Sequence, residues 1–275
     1  MKRNYYYLVA GLQDISLDAN KLSIGLNEFV ELLRTELHPE DYRMLELFFL
    51  PNDHKNLLNL LEKKDYPLIS PSVYQKETLE ENIKEPVSLL PYFITFIQAY
   101  KEKTPIYANL SPENELTTLF YQLVLSYPNE FLRQWFEFDM NIRNVLVAIS
   151  SRKYHLPYEN QIIGNSEVSE ALRKSNARDF GLGNEYPYVE DVVNIHKIED
   201  IHEREWNLDL LRWKYLDEVT FFEYFTAEKV LAYVIKLRMV ERWLSLDKEM
   251  GKKMFLKLLD ELKASYTLPD KFSEK

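Results

Sequence analysis

The sequence is most informative in what it lacks. It contains no cysteine, which excludes disulfide bonds, thiolate metal ligands and thiol nucleophiles. Only six glycines occur in 275 residues, too few for the many tight turns of an all-β fold, so long helices are predicted. The formal charge is −10 and Lys and Arg are not clustered. This excludes nucleic acid as an expected partner, because phosphate binding needs grouped positive charge.

Long apolar runs are also missing. The longest uncharged stretch near the middle of the chain, 86–100, has 15 residues and two prolines, whereas a membrane-spanning helix needs about 20 apolar residues. The opening residues are too polar and the apolar run too short for a secretion signal. Together with the absence of cysteine, this favours a cytoplasmic location.

The residues that are present favour one all-α domain over 1–275. Hydrophobic residues make up 46% of the chain and aromatic residues 14%, enough for a substantial core. The most regular amphipathic segment is 128–152, and its apolar stripe has spacings of three and four: Phe131, Trp135, Phe138, Ile142, Val145 and Ile149. Pro128 is predicted in the first helical turn. Asp139 and Arg143 are four residues apart, which predicts an ion pair within the helix.

A related pattern occurs three times, at 48–61, 136–149 and 221–234. Each segment begins with Phe, and at the same offset of eight residues stand Asn56, Asn144 and Lys229, each followed by two aliphatic residues. The segments begin 88 and 85 residues apart. This spacing predicts three degenerate helical repeats. Chance is the alternative, because amphipathic helices resemble one another.

The least regular stretch is 154–205. Between residues 159 and 205 it holds 11 acidic and 5 basic residues, more than half of the net charge of the chain. We interpret it as an irregular acidic insert that could face a partner. A solvated loop with a short helix explains it equally well.

Motifs for catalysis are incomplete. Asp179-Phe180-Gly181 matches the metal-binding triplet of kinases, but the other kinase motifs are missing. Glu199 and His202 have the Glu-x-x-His spacing of di-iron bundles, which need a second such pair that the sequence does not supply. We therefore expect no catalytic residues, no cofactor and no metal, and a protein that is not an enzyme.

Three segments carry a family resemblance. The opening Tyr5-Tyr6-Tyr7-Leu8-Val9-Ala10 resembles the start of the C subunit of the vacuolar/archaeal (V/A) type rotary ATPase, which corresponds to the d subunit of the vacuolar enzyme. Val230-Leu231-Ala232-Tyr233 with Lys236, Glu241 and Arg242 is similar to the C-terminal helix of that protein, although Leu237-Arg238 depart from its usual pattern. The opening and the segment 42–61 more closely resemble an uncharacterised bacterial family that is encoded with rotary ATPase subunits.

The resemblance implies a pseudo-threefold, funnel-like fold and a non-catalytic part of the central stalk. Such a protein couples the rotor shaft to the membrane ring and serves ion transport. Its partners would be shaft and ring subunits, and it would sit peripherally at the cytoplasmic face of the inner membrane through them. Asn56, Arg143 and Asn144 are candidate partner-binding residues, with helix capping or intrahelical pairing as the alternative role. Two other hypotheses remain: a helical adaptor outside the ATPase, and a metal-dependent enzyme that uses Glu199 and His202.

Overall fold

A computed structural model describes residues 3–108, 110–175 and 177–265, with side chains up to residue 248. Within these residues the protein forms twelve α-helices and one short 3-10 turn, Glu159–Gln161. The helices are α1 (Tyr6–Ala10), α2 (Leu26–Glu36), α3 (Pro39–Glu46), α4 (Leu50–Leu61), α5 (Lys76–Lys84), α6 (Pro91–Glu102), α7 (Pro112–Leu125), α8 (Glu130–Lys153), α9 (Glu167–Lys174), α10 (Pro187–Ile195), α11 (Ile201–Val219) and α12 (Ala227–Ser265). The predicted all-α fold class is confirmed.

Several helices begin at a residue whose side chain accepts a hydrogen bond from a backbone N–H of the first turn. Ser111 accepts the amide N–H of Asn114 at the start of α7, and Pro112 occupies the first helical position, where its missing N–H costs nothing. At the start of α8, however, Asn129 accepts the amide N–H of Leu132 at 3.0 Å. The helix therefore begins at Glu130, and the prediction that Pro128 lies in its first turn was wrong.

Helix α8 lies at the centre of the molecule and contacts α7, α9, α10 and α11. Its predicted stripe is buried from Phe131 to Val145, and Ile149 is half-buried. The buried apolar residues of the described chain, with the exception of Val240, form one cluster that extends from Leu17 to Trp243. A single core is what a one-domain chain of this length requires.

The predicted ion pair between Asp139 and Arg143 does not form. Asp139 instead accepts a hydrogen bond from Arg212 on α11, with Nε and Oδ1 3.2 Å apart. Arg143 turns to α7 and donates to Asn114 Oδ1 at 2.6 Å. Both side chains are half-buried, so partners on neighbouring helices replace the intrahelical pair, which would be worth only about 0.5 kcal/mol on a solvated face.

Helices α4 to α7 and α8 to α11 form two groups with corresponding contacts. In each group the first helix packs on the second and on the fourth, and the third packs on the fourth. The rings of Phe48 and Phe136, which begin the first two predicted repeats, stack with centroids 5.1 Å apart. The third segment differs, because Phe221 and Phe222 lie exposed in the turn between α11 and α12. The threefold, funnel-like arrangement stays a prediction.

The stretch 154–205 contains the 3-10 turn, α9 and α10. Its apolar side chains are buried in the core cluster: Ile162, Ile163, Val168, Leu172, Phe180, Leu182, Val189, Val192 and Val193. Arg152, at the end of α8, lies 3.9 Å from the ring centroid of Phe180 and donates to the carbonyl of Ala177 at 2.8 Å. This stretch is therefore packed on α8, and its role toward a partner stays a prediction. None of the described helices combines the length and the apolar character needed to cross a membrane.

Candidate functional site

The predicted partner-binding residue Asn144 is fully buried on α8. Its Nδ2 donates to the carbonyl oxygen of Ile163 at 2.7 Å, and its Oδ1 accepts the amide N–H of Ile163 at 3.0 Å. The side chain thus satisfies both backbone groups of a residue that is itself buried in a connecting segment. A buried peptide without such partners would be strongly destabilising.

Asn56 makes the same pair of bonds on α4. Its Nδ2 donates to the carbonyl of Ile69 at 3.0 Å, and its Oδ1 accepts the amide N–H of Ile69 at 2.8 Å. We call each arrangement an asparagine clamp. The two predicted positions are therefore equivalent in structure as well as in sequence offset, and each fixes the segment that leads to the next helix.

A second correspondence accompanies the clamps. Tyr92 and Tyr188 each follow the proline that begins their helix, α6 or α10. The hydroxyl of Tyr92 lies 2.7 Å from His54 Nε2 on α4, and that of Tyr188 accepts from Asn141 Nδ2 on α8 at 2.9 Å. Burial lowers the pKa of His54 to about 3, so this imidazole is neutral at pH 7.

Arg143, the third predicted residue, joins three elements. Besides its bond to Asn114 on α7, its guanidinium donates to the carbonyl of Gln161 at 3.4 Å, and Asn114 in turn donates to the side chain of Gln161 at 2.6 Å. Burial lowers the pKa of Arg143. The structure gives all three predicted residues an internal role, and their assignment to partner binding stays a prediction.

An exposed surface lies elsewhere, where the beginning of the chain meets the turn before α12. Asn4 and Thr226 form an antiparallel bridge, and the amide N–H of Tyr5 donates to the carbonyl of Phe225 at 2.6 Å. The hydroxyl of Tyr5 bonds to the carboxylate of Asp41, and burial together with this bond raises the pKa of Tyr5 to about 12. Both segments are therefore fixed to the body of the protein.

This junction displays six exposed aromatic side chains, which we call the aromatic edge: Tyr6, Tyr7, Phe221, Phe222, Tyr224 and Phe225. The rings of Tyr6 and Phe225 are 4.8 Å apart, and those of Phe221 and Phe222 are 4.9 Å apart. Tyr7 and Phe222 are 97% and 79% exposed. Single exposed apolar residues are ordinary, but grouped exposed aromatics mark binding surfaces.

Phe222 also lines an open groove of about 810 Å³ between α3, the start of α8 and the start of α12. We call it the acidic groove, because its lining includes one arginine and five carboxylates: Arg3, Glu40, Asp41, Glu130, Glu223 and Glu228. Arg3 is 2.6 Å from Glu40 and 3.3 Å from Asp41. Carboxylates therefore outnumber arginine in the described lining of this groove, and the groove and the aromatic edge form one candidate interface.

A second concave feature is a central cavity of about 420 Å³. Helices α4, α7, α8, α11 and α12 line it. Its apolar wall includes Phe48, Phe120, Trp135 and Phe136, and its charged residues are Asp139, Glu205, Asp209, Arg212, Arg238 and Arg242.

Asp209 is the shared hydrogen-bond acceptor of several side chains at this cavity. It is almost fully buried and accepts from Trp243 Nε1 at 2.9 Å, from Arg212 at 3.4 Å and from Arg242. Arg212 also bonds to Asp139, which accepts the hydroxyl of Tyr121 at 3.1 Å. The network connects α7, α8, α11 and α12 and balances charges that would be costly to bury alone.

The predicted Glu-x-x-His pair is not assembled into a metal site. Glu199 is exposed, and His202 Nε2 lies 3.9 Å from Asp247 on α12. Within the described part of the chain, no three His, Cys, Asp or Glu side chains are grouped so that they could hold a metal ion. Asp179 of the kinase-like triplet accepts the amide N–H of Gly181 at 3.0 Å, which is a local turn.

Comparison with known proteins gives a family and a distant relative. The model of a family described as "Protein of unknown function (DUF2764)" matches residues 1–266. A protein from Chlamydia muridarum (strain MoPn / Nigg), described as "Uncharacterized protein", is 24% identical over 260 residues, which cover 91% of this chain and 95% of the relative. No solved structure matches the chain.

Proposed function

The chain belongs to the DUF2764 family, and we propose that it is a non-catalytic central-stalk subunit of a V/A-type rotary ATPase that couples the rotor shaft to the membrane ring. The observation that carries this proposal is the candidate interface, in which an exposed aromatic edge borders a groove with five carboxylates. Such a surface suits a basic protein segment with apolar residues on one side. The resemblance of the opening and of the segment around Val230 to the C subunit of that ATPase supports the choice of partner.

The chemistry of this interface favours mechanical contact. Aromatic side chains give large contact areas at small entropic cost and supply much of the binding energy of protein interfaces. The carboxylates contribute attraction that guides a positively charged partner and orients it. Through these partners the protein would be placed at the cytoplasmic face of the inner membrane.

Anchoring of the edge agrees with this role. The bridge between Asn4 and Thr226 fixes the beginning of the chain to the turn before α12, and Tyr5 fixes both to α3 through Asp41. A load on the aromatic edge would therefore pass directly to packed helices. Rigid presentation also reduces the entropy lost on binding.

Co-purification from native membranes tests the proposal. A tagged wild-type protein should recover shaft and ring subunits of the ATPase after mild solubilisation. The double variant F221S/F222S should recover at least about tenfold less, because two interface aromatics each contribute on the order of 2 kcal/mol when they are central to the contact. Moderate salt should also weaken recovery, since charges at the rim are screened.

A matched control changes two aromatics of similar exposure away from the edge. Tyr66 and Tyr154 are 64% and 66% exposed, against 66% for Phe221 and 79% for Phe222. The variant Y66S/Y154S should recover the ATPase subunits like the wild type. If the wild-type protein recovers other proteins but no ATPase subunit, and loses them in F221S/F222S, the adaptor hypothesis replaces the central-stalk proposal.

A further inference from the structure

Arg238 differs from the other two arginines of the central cavity in its contacts. Arg212 and Arg242 both bond to Asp209. For Arg238 the described structure contains one hydrogen bond, from Nη1 to the carbonyl of Phe48 at 3.0 Å, and no carboxylate within ion-pair distance. A guanidinium has five N–H groups, so most of its donors are not used by described protein groups.

This guanidinium is accessible from the cavity although protein surrounds it. Arg238 is exposed, whereas its neighbours on α12, Leu237 and Met239, are buried. Enclosure lowers the pKa of Arg238, and the negative charge of Asp139 partly offsets this effect. The residue therefore presents a positive charge and unused N–H groups to the cavity, and a bound anion would pair with both.

The cavity fits a small organic molecule in size and lining. Its volume of about 420 Å³ lies in the usual range for ligand pockets, about 300–1,000 Å³. The aromatic rings of Phe120, Trp135 and Phe136 form part of its lining. Glu205 and Arg242, both about two-fifths exposed, border it where it meets solvent.

The charges of the cavity select the kind of anion. Arg212 and Arg242 are already paired with carboxylates, so Arg238 offers a single positive charge. A dianionic phosphate would meet repulsion from Asp139, Asp209 and Glu205. A carboxylate carries one negative charge and can accept two parallel hydrogen bonds from a guanidinium.

We propose that the central cavity binds a small organic acid, with its carboxylate on Arg238 and its apolar part against Phe120, Trp135 and Phe136. This site is separate from the aromatic edge and does not depend on the proposed function.

Photolabelling of the folded full-length protein with 4-azidobenzoate tests this proposal. Irradiation should give saturable labelling of peptides from the cavity wall, in particular those with Trp135 or Met239, and excess benzoate should suppress it. Unsaturable labelling, or labelling mainly at the aromatic edge, overturns the proposal. This measurement uses the wild-type protein and therefore does not depend on the folding of any variant.

A variant without the positive charge of Arg238 tests where the carboxylate binds. Arg238→Gln keeps N–H donors in the side chain but removes the positive charge. It should bind the probe at least about tenfold more weakly, since hydrogen bonds to charged groups are strong. The matched control is Arg178→Met, which removes an exposed arginine and should label like the wild type. Equal affinity of the folded Arg238→Gln protein and the wild type overturns the proposed carboxylate position.

Discussion

The asparagine clamps make a prediction that distinguishes them from ordinary buried polar residues. In Asn56→Asp, the atom that donates to the carbonyl of Ile69 becomes an oxygen that faces it at about the same distance, 3.0 Å in the wild type. Asn56 is fully buried, so an ionised carboxylate in its place would be desolvated and opposed by the carbonyl. A protonated carboxyl group could donate and accept like the amide. The variant should therefore fold with the introduced carboxyl group in its neutral form.

The size of the stability loss in Asn56→Asp follows from the linkage between protonation and folding. Holding a proton on a carboxyl group costs about 1.4 kcal/mol for each pH unit above its unfolded pKa of about 3.9, which amounts to about 4 kcal/mol at pH 7. Asp53 lies one turn earlier on α4, and its own pKa is raised to about 6 by burial, so its negative charge adds to the effect. A raised folded-state pKa means that stability is fully present below the unfolded pKa and is lost as pH rises. The loss caused by Asn56→Asp should thus grow with pH.

Urea unfolding at half-unit steps from pH 5 to pH 8 measures this effect, expressed as the difference from wild type at each pH. We expect a slope near 1.4 kcal/mol per pH unit for Asn56→Asp, the value for one retained proton. Asn56→Ala should cost about 2–5 kcal/mol at all pH values, because it leaves two backbone groups without partners. The exposed Asn184→Asp serves as control and should show little slope. A pH-independent difference for Asn56→Asp would refute the clamp as the source of stability.

Four further outcomes are expected. Asn144→Asp should show a smaller slope than Asn56→Asp, because Arg143 Nη1 lies 3.5 Å from Asn144 Oδ1 and would stabilise a carboxylate; the same pH series measures it. Burial raises the pKa of Asp53 to about 6, so the unfolding free energy of the wild type minus that of Asp53→Asn should fall by up to about 3 kcal/mol as pH rises from 4 to 7. Asp209→Ala should lower the unfolding free energy by about 3–5 kcal/mol in urea at pH 7, because it leaves Arg212, Arg242 and Trp243 without their shared acceptor. F221S/F222S should change it by less than about 0.5 kcal/mol per residue, since both side chains are exposed; a larger loss would mean that the aromatic edge is part of the core.

Local features of the fold could be predicted from the sequence. The spacing of Trp135, Phe138 and Ile142 on α8 predicted a face that is buried, and Ser111-Pro112 predicted the start of α7. These signals depend on residues within one or two helical turns. The periodicity of apolar residues is therefore a sufficient basis for the fold class.

The candidate interface and the charge network could not be predicted in this way. Tyr5 meets Phe225 across 220 residues of sequence, and Asp139 meets Arg212 across 73. Neither pair produces a recognisable pattern in the sequence nearby, because each residue alone resembles an ordinary aromatic or charged residue. Asp139 even stands at the spacing that favours Arg143, and only packing against α11 decides between the two partners.

The clamps differ from the apolar residues around them in how strictly they fix the residue type, which bears on the predicted repeat. An apolar position accepts several side chains of similar volume at small cost, so equivalent helices need not keep the same residues there. A clamp must both donate to and accept from one peptide at a fixed distance, and among side chains of this length only an amide does so at pH 7 without the cost of holding a proton. Asn56 and Asn144 are therefore the same residue type, whereas the apolar residues around them match only in being apolar. Lys229 cannot accept a hydrogen bond through its side chain, so the third segment cannot form such a clamp, and a threefold arrangement would require a different contact there.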